Sequence, residues 1–195
     1  RDFSTSPAQS SQASQRIRGG LIAMEQMKPG LLPADAVLPL LNANHLPLRL
    51  TALEMVQHHP DWSDQAIDIF KPWLQSDTAR QKRSQVATGL LATFLANKAF
   101  QELIGKTLND PTTTASTRHW LLSTIATGRS LPLAESWVDP IEKLLASNNP
   151  DSLALAISIT KALKTDRFND QLTKVASHPE TSAILRVAAL SAVSG

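Results

Sequence analysis

Five histidines, His45, His58, His59, His119 and His178, are the side chains best suited to hold a metal or move a proton near neutral pH. A helical metal site needs ligands at i and i+4, or ligands gathered from adjacent helices together with carboxylates. His58 and His59 are neighbours in sequence and point in different directions, so they read as a helix C-terminus before Pro60. Asp61, Asp64 and Asp68 are the densest acids, and Asp64 and Asp68 share a helix face. Paired acids can carry glycosidic or other acid–base chemistry. Acids in the first turn of a helix are more simply partners of its dipole, and that is the reading adopted here. Glu54 and Glu25 are the acids an enzyme would use as a base, and they would need aromatics beside them in one pocket. Serines are abundant, but there is no Gly-x-Ser-x-Gly elbow and no Gly-rich phosphate loop, since Gly19-Gly20 lacks the required spacing. With no cysteine there is no disulfide, thiolate metal site or cysteine nucleophile. The expectation is a chain with no catalytic apparatus, no metal and no cofactor.

Basic residues gather at Arg80, Lys82 and Arg83 and again at Lys161, Lys164 and Arg167. Asp77, Asp166 and Asp170 dilute both clusters, and a formal charge of +2 is far from the excess that nucleic-acid binding requires. The pI of about 9.1 reflects a shallow titration curve. Hydrophobic residues at 42% and charged residues at 18% are ordinary for a folded soluble protein. Apolar runs are only a few residues long, which predicts no membrane insertion, and no signal peptide is visible. The sequence opens on Arg1 and stops at Gly195 within a repeat-like segment, so it reads as part of something longer.

The elements that would position these side chains follow from a repeat. Arg16, Arg49, Arg83, Arg118 and Arg186 are separated by 33, 34, 35 and 68 residues, with Ser152 at the vacant position of the double gap. Three residues after that position stand Gly19, Ala52, Val86, Leu121, Leu155 and Ala189. Four after it stand Gly20, Leu53, Ala87, Leu122, Ala156 and Leu190; seven after it stand Ala23, Val56, Leu90, Ile125, Ile159 and Val193. Small or apolar residues at +3, +4 and +7 make one stripe of an α-helix. The small ones allow close approach of neighbouring helices. Gly19-Gly20 costs up to about 2 kcal/mol of helix propensity, which points to a tight contact or to a frayed terminal helix.

A second helical segment precedes each Arg-bearing one, over 35–42, 62–75, 98–108, 136–147 and 168–177. Asn44-His45-Leu46-Pro47, Ser76-Asp77, Asn109-Asp110-Pro111, Asn148-Asn149-Pro150 and His178-Pro179 separate the paired helices. Lys28-Pro29-Gly30, His59-Pro60-Asp61, Gly128-Arg129-Ser130 and Thr165-Asp166 separate the units. Asp61, Ser136 and Asp151 are candidate N-caps. Pro140 fits a first turn, whereas Pro39 and Pro72 should kink or break their helices. One such hairpin cannot bury its stripe alone and must stack on its neighbours. Residues 1–14 are polar and form a terminal segment that could fray.

A proline-bent first helix followed by Arg and apolar columns, as in Arg49-Leu-Thr-Ala-Leu-Glu-Met-Val56 and Arg186-Val-Ala-Ala-Leu-Ser-Ala-Val193, resembles the short HEAT-like, armadillo-like repeat family. Ser152 and the bulky His119-Trp120 depart from the pattern. Tetratricopeptide repeats share the period, but their Trp, Leu-Gly, Tyr and Ala-Phe positions do not line up and the chain has no tyrosine. The resemblance covers nearly the whole chain and implies an all-α, right-handed α-α superhelix (solenoid) of about five to six helix-hairpin repeats, residues 1–195 forming one repeat domain. Ile184-Leu-Arg-Val-Ala-Ala-Leu190 is also similar to the HEAT portion of large bacterial haem-binding dehydrogenase-like proteins. That resemblance would imply a periplasmic setting near a β-propeller and a cytochrome domain; no Cys-x-x-Cys-His is present here.

The function expected on these grounds is non-catalytic protein interaction or scaffolding, with a protein partner or a neighbouring domain of the same chain. Its alternatives are a structural spacer within a multidomain bacterial protein and a HEAT-like nucleic-acid-acting enzyme. Helical geometry places a binding face on the second helices at +2, +5 and +9, including Thr51, Glu54, His58, Gln85, Thr88, Trp120, Ser123 and Lys161. Trp120 could anchor a partner from that face or fill space between helices. Trp62, Trp73 and Trp137 fall on first helices and read as packing residues.

Overall fold

A computed structural model describes residues 7–27, 32–163 and 165–193, with side chains from residue 11 onward. Among them every regular element is helical and there is no strand. The linker Lys28-Pro29-Gly30, Lys164 of the second basic cluster and residues 1–6 of the polar terminal segment lie outside the described residues. The chain divides into two compact units, Arg1–Thr93 and Phe94–Gly195.

In the first unit α1 (Pro7–Met27) is followed by α2 (Ala34–Val37), which tightens into a 3-10 turn at Leu38–Asn42. Pro39 sits at the head of that turn, where its missing N–H costs least. α3 (Leu46–Gln57) leads through a 3-10 turn at Pro60–Trp62 into α4 (Ser63–Gln75). Pro72 does not break α4, which runs on through it to Gln75. Ser76 then accepts a hydrogen bond from the Ala79 N–H and caps a short extra helix, α5 (Asp77–Gln81), ahead of α6 (Ser84–Phe94). The Ser76-Asp77 breaker therefore starts a helix as well as ending one.

The second unit contains α7 (Lys98–Asn109), α8 (Ala115–Ala126), α9 (Val138–Leu145), α10 (Pro150–Leu163), α11 (Asn169–Ser177) and α12 (Ala183–Val193). Here α8 packs on α10 and α10 on α12, while α9 meets α11, so first and second helices lie in separate layers. Three expected N-caps shift by a residue or two. Asp61 lies in the 3-10 turn before α4, and Ser136 lies in a 3-10 turn at Glu135–Trp137. Asp151 occupies the first turn of α10, whose true cap is Asn149, its side-chain oxygen accepting from the Asp151 and Ser152 N–H groups.

The stripe at +3, +4 and +7 forms the core face of α3, α6, α8 and α10, where only Leu155 is half-buried. Ala52, Val56, Ala87, Leu90, Leu121, Ile125, Ala156 and Ile159 are all fully buried. Its ends differ. Gly19, Gly20 and Ala23 on α1 are exposed, and so are Leu190, Ile184 and Val187 around the buried Ala189 of α12. A Cβ placed at Gly19 or Gly20 would meet nothing, and α1 runs unbroken through both. A tight contact does not explain the pair. Gly20→Ala should therefore stabilise the chain by about 1 kcal/mol in urea unfolding, the full propensity difference. A loss of stability would show that the glycine has a contact the structure does not.

Candidate functional site

Four of the five recurring arginines share one job. Arg49 Nη1 donates to the Ala43 carbonyl at 2.9 Å, Arg83 Nη2 to Asn42 at 3.0 Å, Arg118 Nη2 to Asp110 at 2.6 Å and Arg186 Nε to Ala176 at 2.9 Å. Each acceptor lies at or just beyond the end of a first helix, where carbonyls lack intrahelical partners and the dipole is negative. The arginine column is therefore a set of C-terminal caps, and Arg49, Arg118 and Arg186 tie the two helices of their own hairpins together. Arg83 reaches back 41 residues to the hairpin before its own. Arg186→Ala should cost about 1 kcal/mol in thermal or chemical unfolding, and Arg186→Lys should restore only part, because the bond is made by Nε, where a lysine has no donor.

This use of arginine also consumes the first basic cluster. Arg80 is buried and paired with Asp77, and Arg83 is committed to Asn42, which leaves Lys82 exposed. In the second cluster Arg167 lies 3.6 Å from Glu135.

The α7–α8 turn adds a local acid. The Thr112 hydroxyl and N–H both donate to Asp110 Oδ1, at 2.7 and 2.8 Å. These bonds, led by the hydroxyl and aided weakly by Arg118, hold the Asp110 carboxyl below the usual carboxylate range. A depressed pKa contributes stability that is present above the unfolded value and lost as pH falls through the folded one. Acid unfolding followed from pH 5 downward should thus be steeper in the wild type than in Asp110→Ala, with the difference confined to pH below about 4.

The expected binding residues divide by exposure. In the first unit Glu54, His58, Gln85 and Thr88 are exposed on α3, its C-terminal cap residue and α6. Thr51 departs from the expectation: it is buried, and its hydroxyl accepts from Arg18 Nε at 2.9 Å. The polar group presented at that position is consequently the α1 arginine. In the second unit Trp120 and Ser123 are half-exposed on α8, and Lys161 is exposed on α10. Ser123 lies 3.3 Å from His119 Nε2. Trp62, Trp73 and Trp137 are buried, as their places on or beside first helices imply.

One cluster escapes the sequence reading. His59 is buried rather than lying at an open helix end, its ring stacked on Trp62 with centroids 3.9 Å apart and planes 6° from parallel. Its Nε2 lies 3.4 Å from Glu25 Oε1 on α1, and its Nδ1 lies 3.8 Å from Asp61 Oδ1. The Glu25 contact is close enough for an ion pair when His59 is protonated, but it is not aligned as a hydrogen bond. Glu25 thus does stand beside aromatic rings, as an acid–base site would require, while Glu54 is exposed on α3. The side chains of Glu25 and His59 are only 17% and 10% exposed, so the pair suits pinning α1 to the α3–α4 turn better than meeting a substrate. No group of three or more metal-ligating side chains is assembled among the described residues.

Comparison with protein-family models, curated proteins and solved structures gives no match. The chain's own geometry is then the basis for a function. A groove of about 870 Å³ in the second unit lies between the α9–α10 and α11–α12 turns. Leu145, Leu153 and Leu185 contribute apolar walls, and Glu142, Lys174 and Glu180 contribute charge of both signs. Gln171 Nε2 donates to Glu142 Oε1 at 3.2 Å on its wall. Among the described residues no helix is long and apolar enough to cross a membrane.

Proposed function

We propose that this chain is a non-catalytic interaction or scaffolding domain of HEAT-like repeats, its hairpins wound as a right-handed α-α superhelix. The observation that carries this reading is the division of labour on the second helices. On α3, α6, α8 and α10 every +3, +4 and +7 position except the half-buried Leu155 is committed to the core, while Glu54, His58, Gln85, Thr88 and Lys161 stand exposed and Trp120 and Ser123 partly so. Such repetition spends sequence on a regular polar surface and not on one convergent pocket. The partner is a protein or a neighbouring domain of the same polypeptide. Trp120 is the aromatic anchor of the face in the second unit.

The experiment compares partner binding by wild type with that of Glu54→Lys and Trp120→Ala, alone and combined, each checked for helicity by circular dichroism. Loss of the partner with the fold intact supports the reading, and unchanged binding counts against it. A spacer role, as in the multidomain bacterial proteins the repeat resembles, draws on a different observation. The exposed second-helix positions of the first unit carry Glu54, His58, Gln85 and Thr88, with no apolar aromatic anchor among them.

A further inference from the structure

A pocket of about 440 Å³ in the second unit lies between the turn after α8 and the C-terminal half of α10. Its polar side chains are Arg129, Ser130, Ser158 and Lys161, and no carboxylate lines it. Neither Arg129 nor Lys161 forms an ion pair among the described residues, in contrast to Arg167, which has Glu135 nearby. Gly128, Ala126 and Ala162 complete the lining, so small residues leave the approach to both cations open.

The turn that supplies Arg129 and Ser130 is held in place from both ends. The Gly128 N–H donates to the Ile125 carbonyl at 3.0 Å, and the Leu131 N–H donates to the Ala162 carbonyl of α10 at 3.2 Å. Between them Ser130 adopts φ +53°, a left-handed conformation that side chains other than glycine, asparagine and aspartate rarely occupy. Retaining serine where glycine would be unstrained is the pattern of a position kept for its hydroxyl. On the opposite wall Ser158 lines the pocket with its hydroxyl proton donated to the Ala154 carbonyl at 2.9 Å.

We propose that this pocket binds a phosphoryl oxyanion, with Arg129 and Lys161 supplying charge and the Ser130 hydroxyl supplying a further donor. A guanidinium fork and an ammonium on opposite elements, joined by the Ser130 hydroxyl, offer more donors than a single carboxylate can accept. They match a tetrahedral dianion, whose charge-assisted bonds are the stronger kind. The nearby carbonyls of α8 would repel an anion, but those of Thr124 and Ile125 are already capped, by Thr127 and by the Gly128 N–H. The phosphoryl group comes either from free phosphate or from a phosphorylated side chain of a partner. The site does not depend on the scaffolding reading, although Lys161 belongs to both.

The test is an amide ¹H–¹⁵N titration of the full 195-residue chain at constant ionic strength. The probes are sodium phosphate, sodium chloride, and a short peptide in phosphoserine and serine forms. Saturable shifts at Gly128–Leu131 and Lys161 are expected with phosphate and with the phosphopeptide, but not with chloride or the serine peptide. Tighter binding of the phosphopeptide than of phosphate would assign the group to a partner's side chain, and equal or weaker binding would assign it to the free ion. In an Arg129→Ala/Lys161→Ala variant of unchanged helicity, binding should weaken by about tenfold or more. Shifts that match those of chloride, or that survive in the double variant, would overturn the proposal.

Discussion

Replacing Trp137 with alanine is expected to cost about 3–5 kcal/mol of unfolding free energy, the range for removing a fully buried aromatic. Trp137 ends the 3-10 turn before α9, is completely enclosed, and donates its indole N–H to the Gln101 carbonyl of α7 at 3.1 Å. Gln101 in turn donates its side-chain amide to the Leu95 carbonyl at 3.0 Å, so the ring closes a chain of contacts from the α6–α7 turn to α9. Trp137→Phe separates the two contributions. It keeps much of the apolar volume but leaves the Gln101 carbonyl without its indole donor, and should cost less than Trp137→Ala, by about 1–2 kcal/mol. Urea unfolding of the two variants checks both figures. A cost below about 1 kcal/mol for alanine would mean that the turn does not anchor the hairpin.

The second large effect comes from the smallest side chain at the same junction. Gly105 is buried in α7 facing Ser136, and a Cβ there would overlap the Ser136 Oγ and Cβ. The approach is locked by Asn109, whose Nδ2 donates to both the Gly105 and the Ser136 carbonyls at 2.9 Å. Alanine normally favours a helix interior over glycine, so this position inverts the usual sign. Gly105→Ala should destabilise by about 1–3 kcal/mol, an overpacking cost larger than its propensity gain. Ser136→Gly in the same chain should recover much of that loss, because it removes the two atoms in the way. A double-mutant cycle in urea measures the coupling. Additive losses would place the clash elsewhere.

These two residues also mark where the sequence is informative and where it falls silent. The hairpin pairs are legible because each stripe obeys one helical period, and α3, α4, α7, α8, α10, α11 and α12 occur where that period places them. The arginine column is visible as a spacing, but its purpose needs the acceptor, and the carbonyl of Ala43 or Ala176 leaves no mark in the sequence. A second column went unread. Trp62, Phe100, Trp137 and Phe168 are buried aromatics at the head of successive first helices, with spacings of 38, 37 and 31 residues. Their irregular interval, set by turns of different length, hides them from a search for one fixed period. Gly105 gives no hint either, since its value lies in contact with a residue 31 positions away.

The candidate binding face shows the same limit. On α3, α6 and α8 periodicity separates the buried stripe from most of its flank, yet Ile157 at +5 of α10 is buried, and +2 is a flank only if the neighbouring helix leaves it open. At Thr51 it does not, because Arg18 of α1 lies over the hydroxyl. His59 is the converse case. Adjacency to His58 argues against a shared site, but stacking on Trp62 and the approach of Glu25 depend on α1, which no local pattern reports. The pocket joins Arg129 to Lys161, 32 positions on, and in sequence Gly128-Arg129-Ser130 reads as punctuation between repeats while Lys161 reads as part of another cluster.

The central claim is that the polar face of the second helices recognises a protein. It is tested most directly by comparing what co-purifies with wild type and with a variant carrying Glu54→Lys, Gln85→Lys and Trp120→Ala. A control variant carries an equal charge change at the exposed first-helix residues Asp64 and Glu102. Specific partners, identified by mass spectrometry, are expected to be lost from the second-helix variant and retained by the control, with helicity unchanged in both. Retention of the same partners by all three proteins would contradict it and leave the hairpins with a spacing role.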